Sequence, residues 1–216
     1  MLNGFFFNTP VDHIYLGHQI AEIYKERVYA PFLVDRHDLT ILDVGANIGM
    51  TSYYFSQFAK IVHALEPAKE HQEVFRFMSD FNKLTNVVLH PLALSNEDSQ
   101  ATLFHMSNKT MFSLKPAAIE PGQDQEKVDT IRLDTFLKSR KIEHVDFMKL
   151  DVEGAEPEIT CGEGFQKAAD RIDILFLELH SWNGRNPNQI REGLKQAGFT
   201  TFETIPNDAS LLVARK

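Results

Sequence analysis

Thr40-Ile41-Leu42-Asp43-Val44-Gly45-Ala46-Asn47-Ile48-Gly49 decides the fold: an apolar run stops at a glycine-containing turn, and a helical pattern follows it. A strand that ends this way and restarts as a helix leaves backbone N–H groups pointing into open space, where glycine lets a ligand approach without a Cβ in the way. The next apolar run, residues 61–65, ends at Glu66-Pro67. An acidic residue closing the neighbouring strand is placed to accept hydrogen bonds from both hydroxyls of a ribose. Together the two features describe a site for an adenosine-containing cofactor.

The same rhythm continues outward. Helical patterns over residues 50–59 and 69–83 separate apolar runs at 41–44, 61–65 and 87–94, the last broken by Pro91. Short loops between such units mean parallel strands joined by right-handed crossovers, with helices on both faces. Residues 101–106 and 128–133 alternate apolar and polar around a polar stretch at 108–125, which reads as two antiparallel excursion strands flanking a loop. The α/β rhythm returns with a helix at 133–141, a strand at 145–150, a helix at 156–170, a strand at 174–179 and a helix at 187–197 that stops at Gly198. Runs at 199–205 and 211–214, joined by Pro206-Asn207-Asp208, form a terminal hairpin. The predicted architecture is α/β: a Rossmann-like, mostly parallel sheet with a C-terminal antiparallel hairpin. Residues 1–38 read as a helical cap or lid, with a helix over 19–29 that Pro31 ends, and residues 39–216 as the cofactor-binding domain with its excursion at 96–133.

Composition narrows the partners. The 216 residues suit one domain, and 43% hydrophobic with 24% charged residues is ordinary for a globular protein. A net charge of -8 lacks the basic face that phosphate-backbone binding requires, so no nucleic-acid partner is expected. No apolar stretch reaches the roughly 20 residues of a membrane span, and the first residues lack the pattern of a secretory leader. The single cysteine, Cys161, excludes an intramolecular disulfide and suits a reducing compartment. These features predict a cytoplasmic enzyme, monomeric or weakly oligomeric, acting on a small molecule.

The glycine loop selects among cofactors. A dinucleotide fingerprint runs G-x-G-x-x-G, whereas here Asn47 holds the middle slot and Gly49 comes one residue early. The shorter loop suits S-adenosylmethionine, with backbone groups at Gly45 and Ala46 meeting its amino-acid end and Glu66 holding the ribose. A second motif, Lys149-Leu150-Asp151-Val152-Glu153-Gly154-Ala155-Glu156, lies at the end of the fourth central strand, and Glu178-Leu179-His180 ends the fifth. Ligands collect at that edge of an open sheet. The alternative is purely structural: Glu153 and Glu156 favour the positive end of the next helix, and Glu178 pairs with a backbone amide or Lys149.

Over nearly its whole length the chain resembles the FkbM-type family of S-adenosylmethionine-dependent methyltransferases. The resemblance is carried by Asp43 to Gly49, Ala64-Leu65-Glu66-Pro67, Ala93-Leu94-Ser95, Val128-Asp129-Thr130-Ile131-Arg132-Leu133-Asp134, the K-x-D-V-E-G-A-E string at 149–156, and Leu177-Glu178-Leu179-His180. Met111-Phe112-Ser113-Leu114 is similar to the family's serine-containing stretch. It implies a class I methyltransferase fold and a cofactor site formed by Asp43, Gly45, Ala46, Asn47, Gly49, Glu66, Pro67, Ala93 and Asp151. The implied reaction is O-methylation of a sugar, glycolipid precursor or secondary metabolite.

An alcohol acceptor needs a base, and imidazole suits neutral pH. His180 is the expected base, with Asp151 orienting it or anchoring the cofactor's amino group. The other eight histidines lack ligand spacing and read as surface or packing residues. Asp151, Glu178 and His180 carry the donor types for magnesium or manganese, a metal-dependent variant of the same reaction. The competing classes are a nicotinamide-dependent oxidoreductase, which the short loop and the missing Tyr-x-x-x-Lys pair disfavour, and a cofactor-binding module without turnover.

Overall fold

The computed structural model describes residues 20–105, 112–114, 124–180, 187–206 and 208–216. Its strands, in chain order, are Leu39–Val44 (β1), Ala59–Leu65 (β2), Val87–His90 (β3), Ala93–Leu94 (β4), Ser99–His105 (β5), Phe112–Ser113 (β6), Gln125–Ile131 (β7), Val145–Leu150 (β8), Ile172–Glu178 (β9), Thr201–Ile205 (β10) and Asp208–Arg215 (β11). Seven form one sheet in the order β10-β11-β9-β8-β1-β2-β3; the other four form a smaller sheet in the order β4-β7-β5-β6. In the large sheet β3, β2, β1, β8 and β9 run parallel, and the hairpin β10–β11 adds antiparallel to β9.

The central strands are buried on both faces, which is why they read as continuous apolar runs instead of alternating ones. Along β1, Leu39 and Ile41 enter one core and Leu42 and Val44 the other. Along β9, Ile174 and Phe176 face one way, Leu175 and Leu177 the other. Helices Leu133–Ser139, Glu156–Thr160, Glu163–Ala168 and Pro187–Gln196 cover the first face. Helix Met50–Ser56 and the segment after residue 20 cover the second. There Tyr29 packs edge-on against Phe55, with ring centroids 5.1 Å apart, and against Phe176 at 4.7 Å.

Four expectations change. The helical run before residue 30 stops at Arg27, whose φ of 56° is left-handed, and not at Pro31. Pro31 instead lies in the first turn of Ala30–Leu33, where its missing N–H costs nothing. The run at 87–94 becomes two strands in different sheets, because Pro91 cannot donate to a ladder and turns the chain after His90. The single helix expected at 156–170 is two, parted where Gly162 turns extended. The expected excursion strands pair antiparallel as β5 and β7, but they belong to a sheet of their own. Residues 106–111 and 115–123 of that excursion, and the first part of the expected N-terminal cap, lie outside the described residues. Among the described residues no helix is long and apolar enough to cross a membrane.

Between β2 and β3 the sheet buries a histidine pair. His63 Nδ1 and His90 Nε2 lie 3.1 Å apart, one donating to the other, beside the Phe136 ring. Burial lowers both pKa values, His90 to about 4, with His63 and Arg140 adding to the shift at His90. A base whose folded pKa is depressed stabilises the fold fully above its unfolded value, and that stability drains as pH falls below it. Stability should therefore drop between pH 6.5 and 4, by up to about 3 kcal/mol at roughly 1.4 kcal/mol per pKa unit. Urea midpoints across that range test this; H90Q should flatten the dependence, and an unchanged slope in H90Q would contradict the assignment.

Candidate active site

β1 has β2 on one side and β8 on the other, so the strand order reverses there and the loops leaving the carboxyl ends diverge. An open cleft of about 590 Å³ lies at that point, lined by Val44, Gly45, Asn47, Glu66, Pro67, His71, Leu92, Ala93, Leu103, Phe112, Asp151 and Glu153.

Gly45 has φ +77°, and a Cβ on it would stand 1.7 Å from the Asp151 carbonyl oxygen. The glycine is thus demanded by the β8 backbone itself, not only by an approaching ligand. The amides of Gly45 and Ala46 both donate to the Leu65 carbonyl at 3.0 Å. They tie the loop to β2, so both amides already have an acceptor within the protein. Gly49 is likewise enclosed, since a Cβ there would stand 2.8 Å from the Phe75 ring. Asp43 is wholly buried beneath the loop, accepting from Thr51 Oγ1 at 2.9 Å and Ser52 Oγ at 2.6 Å. Burial raises its pKa, opposed by Lys149 and the two hydroxyls. Asp43, Ala46 and Gly49 therefore build the turn from behind, whereas Gly45, Asn47, Glu66, Pro67, Ala93 and Asp151 line the cleft.

Glu66 sits at the tip of β2, 4% exposed. Its Oε2 accepts the Asn47 N–H at 2.8 Å and its Oε1 the Ala68 N–H at 2.9 Å. A carboxylate has about four lone-pair positions, so both oxygens keep capacity for a further donor. His71, read from sequence as a packing or surface residue, stands 3.6 Å from Glu66 Oε1, beneath the Phe112 ring at 4.5 Å. Leu92, Leu94, Leu103, Leu114 and Val152 supply an apolar wall.

Beyond Asp151 the chemistry changes. Lys149 Nζ is buried between Asp151 Oδ2 at 2.9 Å, the Gly45 carbonyl at 3.3 Å and Asp43 Oδ1 at 3.9 Å. Burial alone would lower its pKa, but Asp151 and Asp43 more than reverse that and hold it charged. His180 Nδ1 is 2.8 Å from Glu156 Oε1, which also accepts the Gly154 N–H at 3.0 Å. His180 Nε2 lies 3.2 Å from Glu153 Oε2, 3.8 Å from Glu178 Oε1 and 3.9 Å from Asp151 Oδ1. Burial works against the imidazolium, yet the Glu156 hydrogen bond and the Asp151, Glu156 and Glu153 charges raise its pKa to about 9. In this arrangement His180 already carries the proton that the expected base would have to accept. Burial and the Asp151 charge push Glu153 up to about 8; the Asp151 charge and burial push Glu178 up to about 7.

The ligand atoms of Asp151, Glu178 and His180 lie within 4.8 Å of one another. The Lys149 ammonium on Asp151 Oδ2 and the raised pKa of His180 both oppose a divalent ion there. Two residues escaped sequence reading. Glu22, brought in by the turn Ala21–Glu26, accepts from the Tyr29 hydroxyl at 3.3 Å and interacts with Lys149, Asp151 and Asp208. Glu156 reads in the sequence only as a helix-start charge, and no spacing rule reveals a side chain that folds back onto its own loop. Residues 181–186, which include Trp182, lie outside the described residues.

This sheet order, with its switch-point cleft and antiparallel last strands, is the class I S-adenosylmethionine-dependent methyltransferase fold. The Synechocystis PCC 6803 magnesium protoporphyrin IX methyltransferase, solved with bound SAM, superposes with a TM-score of 0.55 at 13% identity, over 97% of this chain and 86% of that one. The N-terminal domain of EvdMO1, solved in the presence of SAH and D-fucose, gives 0.53 at 16% identity over 99% and 90%. The methyltransferase FkbM domain family matches residues 43–201, and the chain belongs to that family. "Methyltransferase 1" of Beauveria bassiana (strain ARSEF 2860) is 28% identical over 180 residues, 73% of this chain and 71% of that protein.

G45A should lower stability by about 3 kcal/mol or more, since the Cβ meets backbone at a positive φ. A denaturant midpoint within about 0.5 kcal/mol of the wild type would show that the strand tips do not meet as described.

Proposed function

We propose that this protein is an S-adenosylmethionine-dependent O-methyltransferase acting on a hydroxyl of a sugar, glycolipid precursor or secondary metabolite. The observation that carries the reading is Glu66, a buried carboxylate held by the Asn47 and Ala68 amides at the rim of an apolar cleft, with acceptor capacity left for a ribose diol. Bound S-adenosylmethionine would supply an electrophilic methyl group on sulfur. The chain's own tasks are alignment and exclusion of water. Leu92, Leu103, Phe112 and Val152 offer apolar surface to a purine. Asp151 and Glu153 mark the boundary between this cleft and the cluster of Glu22, Glu178 and His180, where an acceptor hydroxyl would meet a proton-accepting carboxylate. The D-fucose used with the EvdMO1 domain makes 6-deoxyhexoses a sensible first set of acceptors. Residues 1–38 act in this reading as a cap beside the acceptor, consistent with the place of Glu22 and Tyr29. The net charge of -8 supports a small-molecule acceptor over nucleic acid, and a cytoplasmic monomer or weak homo-oligomer completes the picture.

Calorimetric titration with S-adenosylmethionine, S-adenosylhomocysteine and NADH should show binding of the first two only. E66A should weaken S-adenosylhomocysteine by about 10- to 100-fold, the worth of hydrogen bonds to a charged group. Binding of NADH alone would overturn the reading. Labelled methyl transfer to a panel of monosaccharides should proceed in EDTA; a loss that magnesium restores would show that a metal does serve the acidic group.

A further inference from the structure

We infer that Glu178 is the group that takes the acceptor's hydroxyl proton, and that His180, pinned by Glu156, is a fixed cation that positions it and is not itself the base. The inference rests on the methyltransferase reading with a hydroxyl acceptor.

The argument is one of occupancy. Glu156 is fully buried and its Oε1 accepts from Gly154 and His180. An ionised carboxylate oxygen only accepts, so His180 Nδ1 must carry a hydrogen. The other ring nitrogen faces Glu153 at 3.2 Å, Glu178 at 3.8 Å and Asp151 at 3.9 Å, carboxyl groups whose negative charge, when ionised, favours a proton there. The ring is held from both sides with its capacity used. Asp151 has Lys149 on Oδ2, Glu153 Oε2 is buried out of reach of an acceptor with His180 Nε2 at ion-pair distance, 3.2 Å, and Glu22 has the Tyr29 hydroxyl. Glu178 is different: among the described residues its nearest cation is His180 at 3.8 Å, beyond hydrogen-bond distance, and its side chain is 36% exposed, against 22% for Asp151, 18% for Glu153 and 10% for His180. It is the open carboxylate of the group, one residue past the last β8–β9 pair, Leu150 with Leu177, and so beside Asp151, which itself lines the cleft.

Charge agrees with occupancy. Glu178 faces Asp151 and Glu22, which raise its pKa, and His180 and Lys149, which lower it, giving about 7. A base poised there is half available at neutral pH and returns its proton readily. In the reaction the hydroxyl oxygen's lone pair forms the new C–O bond while the methyl carbon's bond to sulfur breaks, its electron pair staying on sulfur. The proton passes to the Glu178 carboxylate, and the resulting neutral acid releases it to solvent along its exposed edge.

The test uses the full chain labelled with ¹³C at histidine and glutamate side chains, titrated by NMR without donor or acceptor, with H180Q and E178Q assigning the two signals. The expected result is a His180 inflection near 9, a Glu178 inflection near 7, and a His180 inflection lowered by at least about one unit in E156Q. A wild-type His180 titrating at or below 7, or Glu178 near its ordinary 4.5, would overturn the inference whatever the variants' activity. For any monosaccharide methylated in the panel, E178Q should lower kcat about 100-fold or more with KM within a few-fold. H180Q should keep the acidic limb of the kcat–pH profile and move it to higher pH. A limb that disappears in H180Q and persists in E178Q would return the base to His180. Donor binding by calorimetry is read separately, so failure of the titrations and failure of the methyltransferase reading are distinct results.

Discussion

The backbone of Asp151 occupies the space where residue 45 would carry a side chain, and the rest of the site follows from that approach. β1 and β8 stay in contact to their last residues, with the Asp151 N–H donating to the Val44 carbonyl at 3.1 Å. On the other side the Leu65 carbonyl takes two successive amides from the β1 loop. With both tips closed, Asn47 is the first loop residue whose amide reaches Glu66, and its φ of 52° lets the chain turn there. The Glu66 carboxylate is thus set by strand pairing, a rigid source of position, and not by the loop alone.

The cluster around His180 is governed by the cost of crowding carboxylates. Several buried acidic groups converge on Lys149 and His180, and leaving any one of them unpaired in a low-dielectric site would be costly. The backbone bears part of the load. Glu153 is held at φ 51°, a strained value for a non-glycine residue, with Ser113 Oγ donating to its carbonyl at 2.7 Å and Glu156 taking the next amide. The excursion sheet, the start of helix Glu156–Thr160 and the end of β9 therefore all meet on one short loop. Such convergence holds charged side chains in place where solvation alone would scatter them.

Sequence made the frame readable because its signals are local. β8 and the helix starts at Met50, Lys69 and Leu133 follow from apolar runs and turn residues, and Gly45 and Glu66 mark the switch point before any coordinate is known. What stayed hidden depends on direction. Asp43, Ala46 and Gly49 belong to the motif string yet lie behind the cleft, because a string does not tell which way a side chain or amide points. The charge of His180 depends on Glu156, 24 residues away in sequence, and on neighbours from two strands and a loop. Glu22 enters from a segment with no motif at all. Pairing across distant elements carries no period and no spacing, so only the folded geometry reveals it.

A crystal structure of the protein with S-adenosylhomocysteine tests the central claim most directly. The account predicts both ribose hydroxyls within hydrogen-bond distance of Glu66, the purine against Leu92, Leu103 and Phe112, and the sulfur directed toward Asp151. A nucleoside bound elsewhere, or bound in the cleft with Glu66 untouched, would contradict it.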